Sequence, residues 1–139
     1  MTDLLSDVVV PVAGEDVAAT TAELVGKYLD DDVRVRVVHV VQDEQAFADA
    51  TDEEWEAFAA GAFDRFREVY GDDVETEVRH STDVAEGIFG AAADADAGAI
   101  VFVPRGGSRW RQLMSGDVAR TLVTEGNRPV VALPPAEDG

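Results

Sequence analysis

The stretch VFVPRGGSRWRQLMSGDVAR, residues 101–120, opens apolar and closes helical. Val101 to Pro104 reads as the end of a buried strand. Arg105-Gly106-Gly107 breaks it, and nine residues separate Gly106 from Gly116. Asp117 then offers a helix cap, and Val118 begins a helical pattern. A strand that passes through glycines into a helix start can turn backbone N–H groups toward a phosphate. That reading requires a parallel α/β scaffold around it.

The flanking sequence supplies one. Asp7-Val8-Val9-Val10-Pro11-Val12 is a continuous apolar run, the pattern of a strand buried on both faces. Ala13-Gly14-Glu15-Asp16 is a turn. The helix after it carries Val17, Thr21, Leu24, Val25 and Tyr28 on one face and ends at Asp30-Asp31-Asp32. Residues 33–41, VRVRVVHVV, read as the second strand. Thr51 with Glu54 forms a capping-box pattern, and the next helix carries Trp55, Phe58, Ala59, Ala62, Phe66 and Val69 on one stripe. Residues 74–79 alternate as a third strand. Asp83 with Glu86 opens a third helix with Val84, Ile88 and Ala91 inward, closed by Asp94-Ala95-Asp96-Ala97-Gly98. Residues 99–103 are the fourth strand. Asp117 caps a last helix with Val118, Leu122 and Val123, stopped by Gly126, and residues 129–133 are a fifth strand fenced by Pro134-Pro135.

Strict strand–helix alternation predicts an α/β fold: one doubly wound, Rossmann-like, five-stranded parallel sheet with helices on both faces. Its ligands would bind at the carboxyl ends of strands where strand order reverses. The loops after strands one and four are the first candidates. A length of 139 residues suits a single domain, 1–139, with its core in about 6–134.

The charge is lopsided, with 29 acids against 11 bases, a net −18, and Lys27 as the sole lysine. Such a surface repels nucleic acid and anionic membranes. It suits a halophilic cytoplasm, where molar salt screens the self-repulsion. Thermal melts should therefore rise in midpoint from dilute buffer to molar KCl; a flat or falling midpoint would remove the halophile reading. The chain has no cysteine and two histidines, which excludes disulfides and makes a transition-metal site unexpected. The start, MTDLLSDVVV, lacks a basic n-region, and no stretch reaches membrane-spanning length, so a cytoplasmic location is expected. His39 on its strand reads as a packed structural residue and His80 as exposed.

In sum these residues resemble the universal stress protein family over about residues 6–134. The likeness is carried by Val10-Pro11-Val12-Ala13-Gly14 at the end of the first strand and His39-Val40 at the end of the second. Thr82-Asp83 at a helix start, Ala95-Asp96-Ala97-Gly98-Ala99-Ile100-Val101 and Pro129-Val130-Val131-Ala132-Leu133 complete it. The resemblance implies strand order 3-2-1-4-5, a stress-response regulatory role without catalysis, and a homodimer through the C-terminal strand, Val130 to Leu133. It implies ATP or another adenine nucleotide as the ligand, although the sequence fixes no cofactor. The site would comprise Pro11, Val12 and Ala13, Val40, and Val103, Arg105, Gly106, Gly116, Asp117 and Val118.

Three of those positions depart from the nucleotide-binding pattern, Gly-x2-Gly-x9-Gly-Ser/Thr after strand four with an aspartate after strand one. The aspartate position holds Ala13, and a lost hydrogen bond costs about 1–3 kcal/mol if its partner stays desolvated. The first glycine position holds Val103. The hydroxyl position holds Asp117, which still caps a helix but sets negative charge near a phosphate, at a cost of roughly 4 kcal/mol for like charges about 4 Å apart. Against this, residues 105–128 hold five arginines and two acids, a local +3 (five minus two). The expectation is a non-enzymatic regulatory or interaction module, serving a protein client, with weak or absent ATP binding. The alternative is an ATP-binding protein using the remaining Gly/Arg loop. A Walker loop, a GxGxxG and a nucleophile elbow are all absent.

Overall fold

A computed structural model describes residues 6–12, 15–29, 32–42, 52–81, 83–103, 121, 124, 126 and 128–133. Within these, β1 is Asp7–Pro11, α1 Glu15–Tyr28, β2 Arg34–Gln42, α2 Asp52–Tyr70, β3 Glu75–Ser81, α3 Val84–Ala95, β4 Ala99–Phe102 and β5 Val130–Ala132. The five strands form one sheet in the order β3-β2-β1-β4-β5. Every pairing is parallel, with Val9 opposite both Arg36 and Ile100. Of the last helix, Thr121 and Thr124 are described and both are helical.

The alternation of side chains along each strand divides the core into two layers. Val8, Val10, Val12, Val35, Val37, Ala99, Val101 and Val103 face α1 and α2. Val9, Val38, Val40, Ile100 and Phe102 face α3. Because both faces are covered, the central strands contain almost no polar residue, which is why they read as unbroken apolar runs.

Helix ends follow their sequence signals. Asp83 caps α3, its carboxylate accepting from the Glu86 N–H at 3.1 Å. Asp96 ends the same helix in the left-handed region, with φ 53°. Gly71, with φ 126°, ends α2, its N–H donating to the Arg67 carbonyl at 2.8 Å.

The expected inward faces need correction at three places. Tyr28 is 47% exposed, beside the Lys27 ammonium, and Phe58 and Val69 are 45% and 38% exposed. On α2 the buried set is Ala59, Ala62, Phe63 and Phe66. The cause is that α2 packs on α1 as well as on the sheet, which turns its buried arc toward α1. The side chains of Val17 and Trp55, and Thr51 as a cap, lie outside the described residues.

The two sheet edges differ. On β3, Arg36 of the neighbouring strand reaches Glu75 at 2.6 Å and Glu77 at 3.6 Å, while Arg79 meets Glu77 at 2.8 Å and also pairs with Asp94. The hydrogen bond that Arg79 donates to the Asp94 carboxylate is the leading influence holding its guanidinium firmly charged. The β5 edge is short, apolar and preceded by Pro129.

Candidate functional site

From β1 the chain steps to β2 and β3 on one side, then returns to β4 and β5 on the other. The order therefore reverses between β1 and β4, and in open α/β sheets the crevice beyond the carboxyl ends at such a reversal is where ligands bind. Val12 and Val103 stand at its floor, one residue past each strand. They are 3% and 2% exposed, both within the layer facing α1 and α2. Each offers the crevice backbone only. Val103, at the position of the pattern's first glycine, is an ordinary core residue. Pro11 is buried beside them.

Val40 marks the carboxyl end of β2 on the α3 side. Gly87 of α3 sits directly against it: a Cβ at Gly87 would lie 2.8 and 3.1 Å from the Val40 methyls and 3.2 Å from Ser81 Cβ. This glycine lets α3 approach the sheet beside the crevice. Its only trace in the sequence is an isolated glycine in a helical pattern. Ser81 Oγ accepts from the Asp83 N–H at 3.2 Å and fixes the turn into α3.

The polar feature of the floor is His39. It is 2% exposed on a strand otherwise valine on that face, and its ring lies 5.5 Å from that of Phe58. Nδ1 is 3.0 Å from the Val12 carbonyl oxygen. A carbonyl only accepts, so Nδ1 carries the proton. The sequence marks His39 as packed and gives no hint of this partner.

Burial lowers the His39 pKa from 6.5, the bond to Val12 partly opposing it. The native ring therefore stays neutral where an unfolded one takes up a proton. Stability should be level above pH 6.5 and fall as the pH drops below it, by up to about 1.4 kcal/mol per pH unit, until the native pKa is passed. Urea titrations in molar KCl from pH 7.5 to 5.5 check this above the ordinary carboxylate range. His39→Asn should flatten the profile.

Ala13, Arg105, Gly106, Gly116, Asp117 and Val118 lie outside the described residues. Arg128 does not belong with the loop arginines. Its guanidinium donates to the Ala97 carbonyl at 2.6 Å, next to the amino end of β4 and at the opposite end of the sheet from the crevice. Without it the loop's sequence charge is +2, four arginines minus two acids. The other described arginines are committed as well: Arg34 to Asp7, Arg36 to Glu75, Arg65 to Glu68, Arg67 to Asp64 and Arg79 to Glu77. The arginines at 105, 109, 111 and 120 lie outside the described residues. Among the described residues no cluster of three or more His, Asp or Glu is placed to hold a metal, and no helix is long and apolar enough to cross a membrane.

The sequence profile of the universal stress protein family matches residues 6–134. The chain belongs to the universal stress protein family. Solved relatives agree in fold. The universal stress protein from Archaeoglobus fulgidus is 26% identical, with a TM-score of 0.60 over 91% of this chain and 92% of its own. The same organism's protein in complex with dAMP is 25% identical, with a TM-score of 0.59 over 94% and 99%. A universal stress protein in complex with cAMP is 15% identical, with a TM-score of 0.60 over 94% and 97%, a likeness of fold alone. Among curated proteins there is no significant sequence match. As a universal stress protein, this chain carries the fold's switch point, with two core valines at the carboxyl ends of β1 and β4.

Proposed function

We propose that this universal stress protein is a non-enzymatic regulatory module whose crevice holds adenine nucleotides only weakly. The observation that carries the reading is Val103. Where the nucleotide-binding pattern has glycine, this chain has a side chain buried in its core, 2% exposed. Ala13 and Asp117 add to it, one lacking a hydrogen-bonding side chain, the other bringing negative charge. Regulation would then run through a protein client, and the acidic composition suits a cytoplasm of molar salt. Mass spectrometry of ligand released from freshly purified protein in molar KCl tests the reading. Protein free of nucleotide is expected; a stoichiometric adenine nucleotide would overturn it.

That second outcome is the competing function, an ATP-binding protein. It is favoured by the dAMP complex of the relative at 25% identity and by the arginines at 105, 109, 111 and 120.

We further propose a homodimer through β5. The Leu133 N–H donates to the Phe102 carbonyl at 2.8 Å and the Pro129 carbonyl accepts from Ile100 at 3.0 Å. By strand alternation, the backbone groups of Val130 and Ala132 point away from β4 and are open to a second copy. The charged rows flanking β3 make the opposite edge the poorer choice. Leu133 is buried and Val131 packs on the core, so Val131→Lys would strain the subunit itself. Ala132 is exposed, and Ala132→Pro removes an outward N–H without touching the β4 ladder. Light scattering in molar KCl should show a dimer that this substitution converts to folded monomer. A wild-type mass of one chain at micromolar concentration would refute it.

A further inference from the structure

The pairing of β1 with β2 ends at Pro11 opposite Val38. One residue on, the Val12 N–H still donates to the Val38 carbonyl at 2.9 Å. In a continuing parallel ladder the Val12 carbonyl would next accept from a backbone N–H of β2. Here the His39 side chain, projecting from β2 itself, takes that carbonyl at 3.0 Å. A side chain thus stands in for the next rung. The chain is free to leave the sheet after Val12, and the carbonyl remains satisfied in a buried place where an unpaired one would be costly.

We propose that His39, as its Nδ1–H tautomer, is the positioning residue of this crevice: by capping the Val12 carbonyl it ends the β1 ladder and fixes Val12 at the carboxyl end of β1, on the floor where a ligand would rest. The inference rests on the reading of this crevice as the ligand site. It adds a determinant that lies within the core beside Val12 and touches no ligand. The buried location suits the role, because no water competes for the carbonyl and the ring is held by Phe58 at 5.5 Å. Burial also favours the neutral ring, for which a choice of tautomer exists.

Two substitutions separate the donor from the bulk. Asparagine places an amide N–H close to where Nδ1–H lies; leucine fills space and donates nothing. Long-range 15N–1H spectra of the wild type in molar KCl should show His39 protonated at Nδ1. Amide exchange at Val12 should quicken at least about tenfold in His39→Leu relative to wild type, with Val9 deeper in the strand unchanged, and His39→Asn should restore it. In AMP titrations by calorimetry, His39→Leu should weaken binding by about tenfold and His39→Asn should not. An Nε2-protonated ring, or a Leu variant with wild-type exchange at Val12, overturns the proposal. If the Leu variant does not fold, the wild-type tautomer and the Asn exchange still decide it. If AMP fails to bind the wild type at all, the crevice reading falls, while the tautomer and the Val12 exchange still judge whether His39 caps β1.

Discussion

Val103→Gly is expected to lower folding stability by about 2–4 kcal/mol. Removing a fully buried valine side chain gives up about 1.5–3 kcal/mol, and glycine in an extended segment costs about 0.5–1 kcal/mol more. The position resembles one where a phosphate loop would want glycine, so a change made on sequence grounds alone would seem to repair the site. The structure points the other way, because Val103 packs in the layer with Val12, Val101 and Leu133. Urea denaturation in molar KCl should show a lower midpoint with an unchanged slope. A variant with wild-type stability and improved AMP affinity would show that Val103 obstructs a ligand.

Gly87→Val is expected to cost about 3 kcal/mol or more, at the upper end of overpacking effects. Its Cβ alone would lie 2.8 Å from a Val40 methyl, and a β-branched side chain has few rotamers with which to escape. Gly87→Ala is the graded control. Its clash, about 1–3 kcal/mol, is offset by roughly 1 kcal/mol of improved helix propensity, so a small net loss should remain. Thermal melts of both variants in high salt check the order. If either proved more stable than wild type, α3 would have to be free to shift outward from β2 and β3.

Much of this architecture was legible in the chain because doubly covered strands admit little besides valine, isoleucine and alanine. Val8-Val9-Val10 and Ile100-Val101 therefore declared themselves without reference to their neighbours. The Asp83–Glu86 spacing likewise forecast a cap whose geometry is local. What failed was non-local. The burial of Phe63 in place of Phe58 depends on α1 lying against α2. The assignment of Arg128 to the loop took nearness in sequence for nearness in space, although Arg128 sits beside Ala97 at the amino end of β4. The bond from His39 to Val12 depends on where β1 departs from the ladder, which no residue pattern in either strand encodes. The site was legible as a place, at the reversal of strand order, and much less so as a set of contacts.

The close seating of α3 has a consequence for how the molecule opens. Its buried residues are Val84, Ala85, Gly87, Ile88, Ala91 and Ala92, so its hold on the sheet comes chiefly from Val84 and Ile88, with the half-buried Phe89 beside them. The α1–α2 layer buries Leu24, Leu29, Phe63 and Phe66 by comparison. Small residues allow intimate approach but remove little apolar surface from water per turn of helix. Detachment of α3 is therefore less costly than detachment of the α1–α2 layer, a sub-global opening below the threshold for losing the whole fold. It would bare the Val38, Val40 and Ile100 face of the sheet while the opposite layer stayed shut, so amide protection should be graded across the molecule, lowest in α3 and highest in the central strands.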